Sequence, residues 1–442
     1  MQIQKPKQGY KLVKSLYGKY EEIPEEWNHS KMKDVCKKIS VGIATSTTKY
    51  FVDKGVPLLR NQNIKEGYIE TDDLLHISEE FAKMNQSKKL QEGDVVCMRT
   101  GYPGQSAVVP AEMNGWQTFT TLIVRPNHEI LDSHYLSIFL NSYGKKQITS
   151  IQAGAAQQNL NVGWLSNILI SLPLLNEQQK IATILSNVNN LIDSYGKAIE
   201  STSRLKTGLM QQLFTRGIRH TKFQKADFGG QIIKEIPEEW NTTTLDEISQ
   251  NGTQNGLAIS ISDYGNGIPI VGMTKFYASE VLSFDNMKEV KIHENNKKKF
   301  SLKSFDLLFG RRSMDGKPTG GAGKCIIVPE IKIPIVFESS IIRMSVKDLV
   351  NPFFIYQLFQ SQFGKKLMIR IIRVSAVSGI SSGDLRKIKI PLPSKNEQDR
   401  IVKILEKFDL KNNDLKIKKI NLEQLKIGLM QKLLTGQIRV KV

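Results

Sequence analysis

The chain has 442 residues, 40% of them hydrophobic and 24% charged, which suits two or three soluble domains; no run of about 18 apolar residues predicts a membrane span, and Met1-Gln2-Ile3-Gln4-Lys5-Pro6 lacks the apolar core of a signal peptide. Lys and Arg number 62 against 43 Asp and Glu, a net charge of +19, which favours a polyanionic partner, most often nucleic acid, although a Lys-rich solvated surface carries the same sign. The cysteines, Cys36, Cys97 and Cys325, are spaced too widely for a disulfide framework or a zinc knuckle, which points to a reducing cytoplasm.

Near the start stands Glu22-Ile23-Pro24-Glu25-Glu26-Trp27-Asn28. Strand-like runs follow at Gly55–Arg60, Gly93–Met98 and Thr120–Val124. The middle run leads into a glycine-rich loop, Arg99-Thr100-Gly101-Tyr102-Pro103-Gly104-Gln105. Glycine lets a backbone approach phosphate closely, arginine reads guanine with two hydrogen bonds, and amides read adenine. The plainer reading of the loop is an exposed hairpin. A polar stretch, Gln157-Gln158-Asn159, comes next, then Leu172-Pro173-Leu174-Leu175-Asn176-Glu177-Gln178. Beyond Pro173 no proline occurs until Pro237, and apolar residues recur every three or four positions: Ile181, Ile184, Leu185, Val188, Leu191, Ile192, Tyr195, Ile199, Leu205, Leu209 and Leu213. This rhythm predicts a helix of about 38 residues, ~57 Å long, with Asn176 as its N-cap.

The second half repeats the plan. The opening seven residues return at Glu235–Asn241. Strand-like runs lie at Gly267–Val271, Asp306–Phe309 and Ser339–Met344, and a second basic, glycine-rich loop runs from Gly310 through Arg311, Arg312, Lys317 and Lys324. Ser378-Gly379-Ile380-Ser381-Ser382 precedes Leu392-Pro393, and Asn396 is the predicted cap of a second helix. That helix carries an unbroken seven-residue series, Ile401, Phe408, Leu415, Leu422 and Leu429, as a coiled-coil seam requires. Gly208 and Gly428 fall at the same point of each helix, where they either weaken it or permit a close helix crossing.

Leu172–Leu185 matches Leu392–Leu405, and Leu205–Arg219 matches Leu425–Arg439, both at an offset of 220 residues. The chain is therefore a tandem duplication. The segment joining these two signatures is 33 residues in both copies, whereas the body between the opening motif and the Leu-Pro signature is 149 residues in one and 156 in the other, with little sequence match. The predicted architecture is α+β: variable mixed α/β bodies at 1–172 and 218–391, helical segments at 173–217 and 392–442. The two helices are expected to pair as an antiparallel coiled coil with pseudo-two-fold symmetry, because the termini of a domain usually lie close together.

Stretches that resemble catalytic motifs are incomplete. Gly320-Gly321-Ala322-Gly323-Lys324-Cys325 lacks the first glycine of a phosphate loop, Pro318 standing in its place, and Cys325 replaces the magnesium-binding Ser/Thr. Asn351-Pro352-Phe353-Phe354 lacks the second proline of an amino-methyltransferase signature and opens a plausible helix. The six histidines show no metal spacing. A coiled-coil scaffold leaves the charge and the diverged loops unexplained, and a self-contained DNA enzyme lacks its motifs.

The paired Leu-Pro-x-x-Asn-Glu-Gln helices, the ending Leu429-Met430-Gln431-Lys432-Leu433-Leu434-Thr435-Gly436-Gln437-Ile438-Arg439-Val440, the Ile-Pro-Glu-Glu-Trp openings and Gly93–Gly101 closely resemble the specificity subunit of type I restriction-modification enzymes, over essentially the whole chain. One departure is Ser304-Phe305-Asp306, where Gly-Asp is usual. The resemblance implies two target-recognition domains reading an asymmetric bipartite site on double-stranded DNA. The candidate contacts are Arg60, Asn61, Arg99, Tyr102, Gln105, Gln157, Gln158 and Asn159 in the first, and Arg311, Arg312, Lys317, Lys324, Ser378 and Ser381 in the second. It implies partners as well: two modification (methyltransferase) subunits docked on the helices around Gln178, Leu185, Leu209, Gln398, Leu405 and Leu429, and two restriction (motor-nuclease) subunits. Catalysis, with S-adenosylmethionine, ATP and magnesium, is implied to lie in those subunits, with no cofactor in this chain. Trp27 and Trp240 are expected to pack against the helices, with the neighbouring acids solvated.

Overall fold

The computed structural model describes residues 5–441 except 15, 17–19, 154–158, 279–281, 314–320 and 374–377. The chain forms two compact units, one made of residues 1–195 and 418–442 and the other of 196–417. Each unit thus holds one variable body and parts of both long helices, Leu175–Arg216 and Lys395–Leu433. At 42 and 39 residues the helices slightly exceed the expected length. They also begin earlier than predicted. Asn176 and Asn396 lie inside the first turn; in the second helix Ser394 takes the cap position, its Oγ accepting from the Glu397 N–H at 3.4 Å.

The two bodies share one strand plan despite their diverged sequences. In the first unit, Cys36–Val41, Leu122–Pro126, Val95–Cys97 and Ser106–Val108 make a four-stranded antiparallel sheet. Phe51–Leu59 pairs with Leu75–Ile77 antiparallel and with Gln117–Thr118 parallel. The second unit repeats the sheet with Ser249–Asn255, Ile341–Val346, Leu307–Gly310 and Cys325–Ile327, and the mixed triplet with Lys288–Val290, Tyr264–Val271 and Val336–Phe337. Val95-Val96-Cys97 and Leu307-Leu308-Phe309 are continuous apolar runs because both faces of their sheets are covered. Val95 and Cys97 face one core and Val96 another; Leu307 and Phe309 are likewise parted from Leu308.

The inner core of each body receives both helices. In the first unit Ile181, Ala182 and Leu185 from the start of the first helix meet Leu433 and Leu434 at the end of the second. In the second unit Met210, Leu213 and Phe214 meet Ile401 and Leu405. Start meets end in each case, so the pairing is antiparallel. Within the second unit, hydrogen bonds from Lys206 Nζ to Asp409 Oδ1 (2.5 Å) and from Asn412 Nδ2 to Ser203 Oγ (3.0 Å) keep the same sense. The seam series Ile401, Phe408, Leu415, Leu422 and Leu429 is buried or half-buried throughout, while Leu191, Leu205 and Leu425, counted into the apolar rhythm, lie on the exposed side. Gly208 and Gly428 face open space, which removes a close crossing as their reason.

The repeated opening motif closes each unit. Trp27 is fully buried and its indole N–H donates to Glu177 Oε2 at 3.2 Å; Trp240 donates to Glu397 Oε2 at 3.0 Å. The chain leaving the end of a helix completes each clasp. Arg439 donates to both Glu177 oxygens (2.8 and 3.0 Å) in the first unit, and His220 Nε2 sits 2.9 Å from Glu397 Oε1 in the second. The glutamate of each Asn-Glu-Gln signature is thus the receptor for a tryptophan and for a side chain from beyond a helix end, Arg439 in one unit and His220 in the other. Glu25, Glu26, Glu238 and Glu239 remain at the surface.

Candidate nucleic-acid interface

In each body the glycine-rich loop meets the polar stretch that precedes the long helix. In the first unit, Gly101 (φ +80°) and Gly104 (φ +93°) turn the loop after Val95–Cys97; a Cβ on Gly104 would lie 2.5 Å from Ile148 Cδ1. The Arg99 carbonyl accepts from Leu160 N–H (2.9 Å), and the Arg99 N–H donates to Asn61 Oδ1 (3.0 Å). Arg99, Asn61 and Asn159-Leu160 therefore converge. The Nε atoms of Arg60 and Arg99 are enclosed without a hydrogen-bond partner among the described residues. Tyr102 stands out from the loop tip, 66% exposed.

Several expected contacts are occupied within the unit. Arg60 is held by Asp73, its Nη2 2.9 Å from Oδ2, and Gln105 Nε2 donates to the Ile64 carbonyl at 2.9 Å. Both are among the expected recognition contacts, and within the unit each also braces the fold through these bonds. Gln157, Gln158 and Lys317 lie outside the described residues.

In the second unit, Ile380 N–H donates to the Arg311 carbonyl (2.9 Å), Ser313 N–H to the Ser378 carbonyl (2.9 Å), and Arg312 and Gly379 form an antiparallel bridge. The Tyr277 hydroxyl donates to the Arg312 carbonyl. Arg312 is exposed, while Arg311 Nη1 reaches back to the Ser339 carbonyl at 3.2 Å. Ser378 is fully buried, Ser381 Oγ caps the turn Ser382–Arg386 by accepting from Asp384 N–H (3.0 Å), and Lys324 Nζ donates to the carbonyls of Phe276 and Tyr277 (3.1 and 3.3 Å). All three help to shape the loop; Ser378 is enclosed, while Ser381 and Lys324 are half-buried. Arg373, exposed and paired with Asp384 at 2.6 Å, belongs to this face and escaped the sequence reading. Its signal was the arginine pair Arg370 and Arg373 just before the polar stretch. The Asp384 carboxyl is held below the usual range by the Ser381 hydroxyl, opposed by burial and assisted by Arg373.

The helix residues expected to dock partners have contacts within their own units. Gln178 and Gln398 are buried brackets: Gln178 Oε1 accepts from Asp132 N–H (2.9 Å) and Gln398 Oε1 from Asn351 N–H (2.8 Å), each Nε2 returning to the Pro173 or Pro393 carbonyl. Leu185 and Leu405 are core residues, and Leu209 and Leu429 pack half-buried against those cores. These four leucines of the helical rhythm face their own units, unlike the exposed Leu191, Leu205 and Leu425. Among the described residues, no group of three His, Cys, Asp or Glu side chains could hold a metal ion.

Two α/β units of one plan, each presenting paired loops of different composition beside a duplicated long helix, define a class of tandemly duplicated two-body proteins. Residues 24–201 and 237–424 match the type I restriction modification DNA specificity domain, and the chain belongs to that family. It is similar to the type I restriction enzyme MjaVIII specificity subunit of Methanocaldococcus jannaschii, 28% identical over 431 residues, 95% of this chain and 94% of that one. The EcoKI specificity subunit of Escherichia coli strain K12 is 24% identical over 376 residues, 81% of this chain and 76% of that one. Among solved structures, the S subunit of a type I restriction-modification system from M. genitalium shares the fold at a TM-score of 0.53 and 15% identity, with 92% and 96% coverage. A chain from work on complex assembly and conformational transition of the type I R-M system aligns at a TM-score of 0.57 and 18% identity, with 94% and 99% coverage.

Proposed function

We propose that this chain is the sequence-specific DNA-recognition subunit of a cytoplasmic type I restriction-modification complex. Each body reads one half of an asymmetric bipartite site, and the helical segments set the gap. The observation that carries this reading is the matched pair of loop faces: the same two loops converge in each body, but with Arg99, Asn61 and Tyr102 in one and Arg312 and Arg373 in the other. One scaffold with different side chains at its reading edge supports recognition of two different sequences. Two modification subunits would dock on the helices, where the exposed Leu191, Leu205, Leu410, Ile417 and Ile420 offer apolar surface outside the seam, and two restriction subunits would join them. Methylation and cleavage, with S-adenosylmethionine, ATP and magnesium, would belong to those subunits, this chain supplying only the address.

Half-site binding tests the reading. Replacing Arg99 and Tyr102 by alanine should weaken discrimination in one half-site by about 1–3 kcal/mol per lost base contact and leave the other half unchanged, with Arg311 and Arg312 acting on the other half. Equal loss across both halves would mark these side chains as phosphate contacts and remove the half-site assignment.

A further inference from the structure

The two bodies differ sharply in charge. Residues 24–172 carry 15 basic and 15 acidic side chains, a net of zero, whereas residues 237–391 carry 21 and 15, a net of +6. Much of this difference sits on one element present in both. A short helix follows the edge strand of each mixed triplet: Glu79–Met84 after Leu75–Ile77, and Glu294–Phe300 after Lys288–Val290. The first carries Glu79, Glu80 and Lys83; the second carries Glu294 with Lys297, Lys298 and Lys299. The same position in one fold is therefore acidic in one body and strongly basic in the other.

The basic helix is anchored beside the reading loops. Gln254 Nε2 donates to the Lys299 carbonyl at 3.0 Å, and the next residue, Asn255, accepts from Ser382 Oγ at 2.8 Å. One strand end thus holds both the last turn of the lysine helix and the turn capped by Ser381. Lys298 and Lys299 are exposed, and Lys297 is half-buried and pairs with Glu294 at 3.1 Å on the surface of the same helix. Lys288, Lys291 and Lys303, exposed on neighbouring segments, extend the same sign of charge.

We infer that the helix Glu294–Phe300 grips DNA phosphates, so that the second body supplies a sequence-independent hold on the duplex that the first body lacks. This rests on the recognition role proposed above and adds a division of labour to it. The first body discriminates with little electrostatic help, and the second both discriminates and anchors. Lysines in a last helical turn also suit the unpaired carbonyls there, which by itself affects stability and not DNA binding.

The test uses the full chain with three duplexes: the complete site defined by methylome mapping, and the same duplex with either half scrambled. Affinity is measured from about 50 to 200 mM salt, where each phosphate contact contributes about 0.9 to the log–log slope. Replacing Lys297, Lys298 and Lys299 together by glutamine should lower that slope by about 2 to 3 on every duplex, so that affinity falls about 16- to 60-fold less steeply over this range. The preference among the three duplexes should not change. The triple arginine variant should keep the wild-type slope, and Lys83→Gln in the first body should lower it by less than about 1. An unchanged slope in the triple glutamine variant, with unaltered thermal unfolding, overturns the inference. So does a loss confined to duplexes carrying one half sequence, which would mean base reading. Equal wild-type binding to all three duplexes would overturn the recognition role instead, a result separate from the salt slope.

Discussion

Glu177 and Glu397 show how a single carboxylate can organise a unit of this protein. Each accepts from a buried tryptophan indole, and each is closed by a side chain from the segment that leaves a helix end, Arg439 or His220. Removing Glu177 would strand the Trp27 N–H in the core and leave Arg439 with only Glu26. Glu177→Ala should cost about 2–4 kcal/mol in denaturant unfolding, since breaking a buried ion pair leaves its partners uncompensated; a change below about 0.5 kcal/mol would show the clasp to be incidental. A second residue gives the first unit a pH dependence. His29 has its ring Nε2 enclosed without a partner among the described residues, and burial, aided by Lys11 and opposed by a backbone hydrogen bond at Lys14, pushes its pKa below 6.5. The unfolded chain then takes up the proton first, so stability is fully present above about pH 6.5 and is lost as pH falls toward the folded value. His29→Gln should remove that loss, seen as a flatter unfolding midpoint between about pH 7 and pH 5; parallel profiles would contradict it. The tryptophans and the Asn-Glu-Gln glutamates were legible in the sequence because both copies spell them alike. Their pairing was not, since about 150 residues separate the partners and only the tertiary fold brings them together.

At the scale of elements, the long helices were the most legible part of the chain. Their apolar period, the absence of proline and the equal 33-residue spacing all agree. Their start was misplaced because asparagine after proline imitates a cap, whereas Ser394 performs that role two residues earlier in the second helix. Gly208 and Gly428 carry a prediction. Each lies in a helix interior, and an added Cβ would meet nothing within 4 Å. Gly208→Ala and Gly428→Ala should therefore each stabilise the chain by about 0.5–1 kcal/mol, measured as a rise in melting temperature. Destabilisation would reveal a constraint that the isolated chain does not display. The reading loops were less legible. Composition located both glycine-rich loops and both polar stretches, but whether a polar side chain faces solvent or braces its own loop depends on bonds such as Gln105 to Ile64 and Lys324 to Phe276, which no local pattern encodes. The turn at Phe305 is similar: a φ of +69° stands where the first body uses Gly93 at +80°, so the fold imposes the turn even where the preferred residue is missing.

For the whole molecule, the duplication explains both what repeats and what differs. The fixed parts, two tryptophan clasps and two helices, are the parts on which each unit is built. The free parts are the loop faces and the surface charge, and those must differ if two halves of a DNA site are to be read independently. The shared strand plan of the bodies could not be seen in their sequences, which scarcely match. It survives because each strand needs only apolar residues of suitable size facing each core. The central claim is that one chain carries two different readers. Methylome sequencing of cells carrying the complete complex tests it most directly. The account predicts an asymmetric motif of two short specified segments separated by a constant unspecified gap; a continuous or palindromic methylated motif would contradict it.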